Sequence, residues 1–580
     1  MTLADLAVVV GYLLIVFYIG ARFTKRAHTD TDSYFLSSRG LPWWIAGTSM
    51  VATSFSCDTP LYVTKLVRSE GIALNWQWWS FGIGGLFSAF MLSRLWRRAK
   101  VVTDLELAEI RYGGKGGAIL RTFKAGWMAL LINTIAMSWV VLAMAKIIAA
   151  VWGGPKWAGV LGAAALAVSY SFMAGFWGVV VTDVAQFVVA LVGAIVLAIV
   201  AVNAAGGMES ILAVVPYEKI QFLPDMPQFA SPASLKFWTS AFGGFVVYAS
   251  IQWWANINSD GGGKVIQRMS AAKSEGHAFA ATLWFNVAHY ALRTWPWVLA
   301  ALASLVLYPN LADDEMAYPK MIVELLPSPW TGFLVAGLLA AFMSTIDTQL
   351  NWGSSYLTHD LYRRWIAPNK SEKHYLWAAK ASMLLLLVIT ALIAQMIDSV
   401  TEAFKFIIAF GAGTGPVLIL RWFWWRVNAW AEIAAMIAST VISTWIYLSG
   451  VEMEFQLRIM VIAFGSALVW LPVMAWTPAS SGTTLRRFYL RIQPPGAWRK
   501  IRWQFTPETL YNHGHKHRPF LKHDFVGWLG GMMLTFGLMF GIGHAIFGNW
   551  LLMVGWFAAV FMGLGMVGWW WMKVENIKPK

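Results

Sequence analysis

The sequence predicts an all-α polytopic membrane protein built on an inverted repeat of five plus five helices. Three observations carry that expectation: the apolar weight of the chain, the side of the apolar segments on which its basic residues fall, and two helices broken in mid-span. Of the 580 residues, 58% are hydrophobic and 13% charged, against roughly 45–50% apolar and about 25% charged in soluble domains. Such a chain cannot hide its apolar surface in a water-soluble core.

About fifteen apolar segments follow one another, most of them long enough for a hydrocarbon layer of about 30 Å. They lie at roughly 4–22, 41–66, 72–95, 118–152 and 157–176, then at 177–205, 235–258, 276–308, 330–358 and 375–399. The last are 400–425, 428–449, 455–476, 526–547 and 548–572. The first segment opens after Asp5 without the basic n-region or small-residue cleavage site of a signal peptide, and reads as a retained helix.

With the N-terminus outside and the C-terminus cytoplasmic, most of the 44 Lys and Arg fall at cytoplasmic connections. RLWRRAK (94–100) and LYRRW (361–365) alternate with acidic external stretches such as YPNLADDEMAYP (308–319) and SGVEMEFQ (449–456). That is the positive-inside pattern of a bacterial-type inner or plasma membrane. The net charge of +15 therefore orients the chain and meets anionic lipid; nucleic acid is not needed to explain it. A single cysteine, Cys57, excludes an internal disulfide and a cysteine-cluster metal site.

The second segment carries SCDTP (56–60), where Pro60 removes a donor and disfavours helix at the residue before it. The seventh is apolar to Trp254 and then reads ANINSDGGGKVIQR (255–268), whose three successive glycines cannot hold a regular helix cheaply. Irregular backbone at membrane depth survives only where it lines a cavity or is buried in protein. The two breaks lie five segments apart, so their helices cross in opposite directions. This is the layout of an inverted repeat over about 41–205 and 235–425, with a discontinuous first helix in each half. Two unrelated kinks are the alternative.

One helix precedes the repeat and about four follow it. Residues 1–476 form the core, 477–525 a basic linker, and 526–580 a final helix pair with a basic tail. In the linker, RRFYLRIQPPGAWRKIRW (486–503) and Trp498, Ile501, Trp503 and Phe505 suggest a segment lying on the cytoplasmic interface. HGHKH (513–517) reads as part of a solvated loop rather than a metal site.

The stretch AAFMSTIDTQLNWGSS (340–355) is unusually polar for a spanning helix. Ala341, Ser344 and Thr345 share one helix face. Two hydroxyls and a carbonyl, neutral and hard, offer part of a shell for Na⁺, and carbonyls freed near Ala52 and Phe55 can supply the rest. The alternative is that the hydroxyls bond to their own helix or tie helices together.

Asp347 lies off that face, to pair with a polar neighbour on another helix or to add negative field at a distance. Asp183, in TDVAQ (182–186), reads as a carboxylate near a helix N-terminus. Arg293, deep in NVAHYALRTWPW (286–297), either holds an anion or pairs with a buried acid; pairing is preferred because unpaired membrane charge is costly. Asp58, Asn75 and Gln77 near the first break, and Asn256, Asn258 and Asp260 in the second, suggest a polar solute with several hydrogen-bonding groups.

Five motifs in order give the chain a family resemblance. They are FLSSRGLPWWIAGTSMVATSFS (35–56), TDLELAEIRYG (103–113), TDVAQ, IQRMSAAKS (266–274), and AAFMSTIDTQL (340–350) followed by THDLY (358–362). Over about residues 4–476 the chain resembles the sodium:solute symporter family, as a divergent branch. The resemblance implies a ten-helix core preceded by one helix. It implies Na⁺ on the carbonyls of Ala52, Phe55 and Ala341 and the hydroxyls of Ser344 and Thr345, with Asp183 behind them on the cytoplasmic side.

Asp58 falls where the proline carriers of the family have an aspartate important for sodium and the sugar carriers a glutamate. The helix after the first break lacks the acid of the sugar carriers, and Asn256, Asn258 and Asp260 offer no aromatic gate. The expected function is therefore not enzymatic: Na⁺-coupled uptake of a small polar organic solute by alternating access, with no cofactor beyond the coupling ion. A proton-coupled transporter, or a sensor that keeps the fold without transport, is the alternative.

Overall fold

The computed structural model describes residues 1–27, 39–54, 56–101, 103–171, 176–227, 231–512 and 521–575. Phe55 and the HGHKH cluster lie outside them. The described residues are mainly helical, with an isolated bridge between Trp424 and Ala497.

The main helices in chain order begin with α1 (Leu3–Ala27), α2 (Trp43–Ser54), α3 (Asp58–Glu70), α4 (Trp76–Phe87), α5 (Glu106–Tyr112) and α6 (Asn133–Trp152). Then come α7 (Phe176–Ala204), α8 (Ala241–Val247), α9 (Gly263–Ala271), α10 (Thr294–Leu307), α11 (Trp330–Ser355) and α12 (Glu372–Met396). The last are α13 (Val400–Gly411), α14 (Gly415–Phe423), α15 (Ala429–Leu448), α16 (Phe455–Trp476), α17 (Gly482–Ile492), α18 (Leu521–Ile546) and α19 (Trp550–Glu575).

Nine helices among the described residues are long and apolar enough to cross a membrane, or ten if the bent pair α13 and α14 is one crossing. The chain is a multi-pass membrane protein. Fewer helices pass than the fifteen segments expected, because several segments are built from shorter pieces. The apolar helix Ala241–Gln252 is shorter than a span, and the second segment is divided into α2 and α3.

Both anticipated breaks are present. Helix α2 stops at Ser54 and α3 resumes at Asp58, with Pro60 in the first turn of α3, where a missing N–H removes no helical bond. Within the break the Cys57 thiol points at the Val140 carbonyl, 3.5 Å away. The second break runs from Trp253 to Gly262, and Gly261 and Gly262 take φ of +123° and +72°, values that favour glycine. A third break was not anticipated. Helices α13 and α14 meet at a 44° bend over Ala412–Thr414, inside a GAGTGP run (411–416) that carried the signal.

The helices divide into two compact units. The first comprises 1–75, 126–225 and 288–407. Its centre is α11, buried along most of its length. Helix α7 approaches α11 closely because both present small residues: a Cβ on Gly337 would lie 3.2 Å from Ala190 Cα, and one on Gly193 would lie 2.7 Å from Leu334 Cδ1. Near the start of α11, the N–H of Gly332 donates to Asp5 Oδ1 at 3.0 Å.

At one end of this unit Glu315, fully buried, gathers charge and backbone. It takes Lys146 Nζ at 2.6 Å, Ser399 Oγ at 2.7 Å, and the N–H groups of Val400 and Thr401 that open α13, at 3.1 and 3.0 Å. Burial alone would push this carboxyl up, but Lys146 and the donors around it bring it down to about 2. A carboxylate depressed in the folded state stabilises fully above its ordinary value and loses that contribution as pH falls through the folded one. Thermal unfolding of Glu315→Gln should therefore fall several degrees below wild type at neutral pH, with the gap closing as pH drops from about 4.5 toward about 2. A gap that does not change with pH would contradict this assignment.

The second unit comprises 76–125, 226–287 and 408–580. Here the second break is seated on the start of α14. A Cβ on Gly415 would lie 1.8 Å from the Trp254 carbonyl oxygen, and Ser259 Oγ donates to the Gly415 carbonyl at 3.0 Å. Only glycine fits there.

The segment expected to lie on the interface packs on this unit over its described part. Trp498 stacks on Phe488 with ring centres 5.4 Å apart and donates to the Trp422 carbonyl at 2.7 Å. Arg111 sits over the Trp498 ring, and Arg98 Nη1 donates to the Ile492 carbonyl at 3.0 Å. Trp498 and Ile501 turn inward, where apolar rings gain more from packing than from a headgroup layer; Trp503 stays 70% exposed. Helices α18 and α19 pack at Gly530 and Gly563, where a Cβ on the latter would lie 2.6 Å from the Gly530 oxygen.

Candidate functional site

Helix α2 reads WWIAGTSMVATS, with Ser49 and Thr53 one turn apart on a largely buried helix. Both hydroxyls turn to the same acceptor. Ser49 Oγ donates to Asp183 Oδ2 at 2.6 Å, and Thr53 Oγ1 reaches the same oxygen at 3.5 Å. From α11, Ser344 Oγ donates to Asp183 Oδ1 at 2.6 Å. One carboxylate thus binds three helices of the first unit.

Asp183 is not a helix-end carboxylate. It lies seven residues into α7, whose first turn holds no acid, so the dipole explanation gives way. It is fully buried, and it accepts directly from the Ser344 hydroxyl. Ser49 and Thr53 were not singled out from the sequence, although hydroxyls four residues apart in an apolar helix were the available signal.

The chemistry of this cluster suits a small hard cation. When Ser344 gives its proton to Asp183, its oxygen lone pairs remain for another partner. Thr345 and Ala341 are buried beside it on α11, and Ala52 is buried on α2 between the Asp183 donors Ser49 and Thr53. Phe55 lies outside the described residues. The site joins neutral oxygens to one fixed negative charge.

Arg293, just ahead of α10, is buried in the same unit. Its Nη1 donates to the Val51 carbonyl at 2.9 Å and its Nη2 reaches the Ser54 carbonyl at 3.5 Å, while the guanidinium lies over Trp297. It therefore engages the carbonyl end of α2. Carbonyls at a helix C-terminus attract a cation for the same reason a carboxylate does. Asp347 Oδ1 accepts from Asn351 one turn along its own helix, at 3.0 Å.

The expected solute residues are distributed over both units. Asp58 Oδ2 accepts from the Trp139 indole at 3.1 Å, and Asn75 donates locally to the Ile72 carbonyl at 2.9 Å, both in the first unit. In the second, Gln77 donates to the Tyr248 hydroxyl at 3.2 Å. Asn256 caps its own helix end through the Trp253 carbonyl at 2.8 Å and accepts from the Asn258 N–H at 2.8 Å. These bonds hold the irregular backbone.

Asp260 shows the largest departure. Its Oδ2 meets Arg421 Nη2 at 2.5 Å, Arg421 Nη1 meets Glu432 at 3.1 Å, and Glu432 takes Lys124 at 3.0 Å and the Tyr112 hydroxyl at 3.0 Å. Asp260 is nearly fully buried, and its Oδ2 is committed to the guanidinium. Ion pairs between residues this far apart in sequence leave no local mark.

Comparison with known proteins agrees with this architecture. The sodium:solute symporter family model matches residues 34–439. A sodium/glucose cotransporter of Vibrio parahaemolyticus is 26% identical over 476 residues, covering 78% of this chain and 86% of its own. A sodium/myo-inositol cotransporter 2 of Oryctolagus cuniculus is 27% identical over 467 residues, covering 73% and 67%. Among solved structures, a Na⁺-coupled sialic acid symporter in a substrate-bound outward-open state superposes with a TM-score of 0.68 at 20% identity, covering 83% of this chain and 99% of that one. Mhp1, of the nucleobase-cation-symport-1 family, gives 0.50 at 14% identity, covering 78% and 97%. With the family model matched over most of its length and its helices laid out as in such carriers, the chain belongs to the sodium:solute symporter family.

Proposed function

We propose that the protein is a secondary active transporter that couples the inward movement of Na⁺ to uptake of a small polar organic solute. The observation that carries this reading is the Asp183 carboxylate held between hydroxyls of α2 and α11. Na⁺ binds the hydroxyl oxygens of Ser344 and Thr345 and the carbonyls of Ala341, Ala52 and Phe55, with Asp183 supplying the counter-charge. Bound Na⁺ links α2 to α11 and stabilises an outward-open, solute-competent state, with the N-terminus outside and the C-terminus in the cytoplasm. The breaks in the second and seventh segments belong to the two halves of an inverted repeat and act as its hinges. By linkage, the solute must then tighten Na⁺ binding as much as Na⁺ tightens solute binding.

The test requires no knowledge of the solute. Thermal unfolding of the purified protein is compared in Na⁺ and in K⁺ at equal ionic strength, for wild type and Ser344→Ala/Thr345→Ala. A ligand that binds only the folded state raises its stability as concentration passes the dissociation constant. A Na⁺-specific rise in wild type, lost in the double variant, is the expected result. No Na⁺-specific rise in wild type, together with uptake driven by a proton gradient, would select proton coupling in its place.

A further inference from the structure

Next to the first break three aromatic rings from three helices meet beside a carboxylate. Asp58 opens α3, and Tyr62 follows one turn later on the same helix. Phe404 of α13 lies 4.6 Å from the Tyr62 ring and 5.5 Å from the Trp139 ring of α6, centre to centre. The Trp139 indole donates to Asp58 Oδ2 at 3.1 Å. All four residues belong to the first unit. Tyr62 and Asp58 are buried, while Trp139 and Phe404 keep part of their surface open.

We infer that Tyr62, Trp139, Phe404 and Asp58 form a subsite for a positively charged nitrogen, so that the solute carries an ammonium or quaternary ammonium group. Aromatic faces present negative quadrupole density, and clusters of such rings recognise alkylated ammonium groups once water is excluded. A carboxylate within the same cluster adds a full charge of the complementary sign. Its position is fixed by the indole N–H, and α3 begins without a side-chain cap bond from the residue before it. Ordinary core packing would bring the rings together, but it gives no reason to place a carboxylate among them at membrane depth, where charge is costly.

A neutral polyol fits this cluster poorly. It needs several donors and acceptors, whereas the cluster offers one carboxylate and three rings whose main surface is apolar. The amide and acid groups first expected to serve a polar solute, those of Asn75, Gln77, Asn256 and Asp260, bond to protein. Arg293, in the same unit, gives its Nη atoms to the Val51 and Ser54 carbonyls.

This inference rests on the transport reading, and the experiment separates the two. The purified full-length protein is titrated in Na⁺ with glycine betaine, choline and myo-inositol, following thermal unfolding. Wild type, Asp58→Asn and Phe404→Leu are compared, and Na⁺ against K⁺ without solute serves as the reference for each. Stabilisation by the two ammonium compounds, weakened about tenfold or more in apparent affinity in both variants, while Phe404→Leu still responds to Na⁺, is the expected result. Stabilisation by myo-inositol alone overturns the subsite, as does an ammonium response that both variants retain. No response to any of the three, in protein that Na⁺ still stabilises, overturns the subsite and leaves Na⁺ coupling intact.

Discussion

Asparagine at Asp183 should raise the Na⁺ concentration for half-maximal uptake roughly a hundredfold. The carboxylate lies 2.6 Å from Ser344 Oγ, so a cation on that oxygen sits roughly 5 Å from the negative charge. At an effective dielectric constant of about 20, one charge at that distance contributes about 3 kcal/mol, or two powers of ten in affinity. The amide keeps the size of the side chain and an acceptor for one hydroxyl, so the loss is chiefly electrostatic. Na⁺-dependent uptake over a wide concentration range, with the solute held saturating, measures the shift. Wild-type Na⁺ dependence in Asp183→Asn would remove this residue from the ion site.

Methionine at Arg421 should destabilise the protein by about 3–5 kcal/mol, the usual cost of removing one partner from a buried ion pair. Arg421 lies between Asp260 and Glu432, all three nearly or fully buried. Without the guanidinium, Glu432 keeps Lys124 and Tyr112, but Asp260 loses its ion pair beside a backbone that is already irregular. Arg421→Met/Asp260→Asn should recover much of the loss, because the carboxylate charge leaves with its partner. Thermal unfolding of both variants decides this. Equal instability of the single and double variants would place the cost in lost packing, including the contact of the guanidinium with Trp96.

What the sequence disclosed depended on how local the cause was. Pro60 and the run Gly261–Gly263 act on the backbone where they stand, so both breaks were legible from a few letters. GAGTGP marks the third just as plainly, but it was absorbed into a continuous apolar segment. Ser344 and Thr345 stood out because polar residues are rare in such helices. Asp183 stood out too, but from the residues alone only as a helix-end acid, since only the crossing of α7 with α2 and α11 brings it to Ser49, Thr53 and Ser344.

The same limit governs charge. Arg293 finds the end of α2 some 240 positions earlier in the chain, and Asp260 finds Arg421 across 161 positions. Periodicity reports which face of a helix is apolar; it carries no information about which helix lies opposite. Counting spans meets a related limit: a run of apolar residues reads the same whether it folds as one continuous helix or as two short ones joined by a bend.

Cys57 sits in the gap between α2 and α3, buried, with its sulfur aimed at α6. It is also the one thiol in the sequence. The native chain therefore needs no cysteine-free background for chemical labelling: a maleimide that reacts with it reports solvent reaching that gap. The rate of its alkylation, with and without Na⁺, would serve as a clock for how often the gap opens.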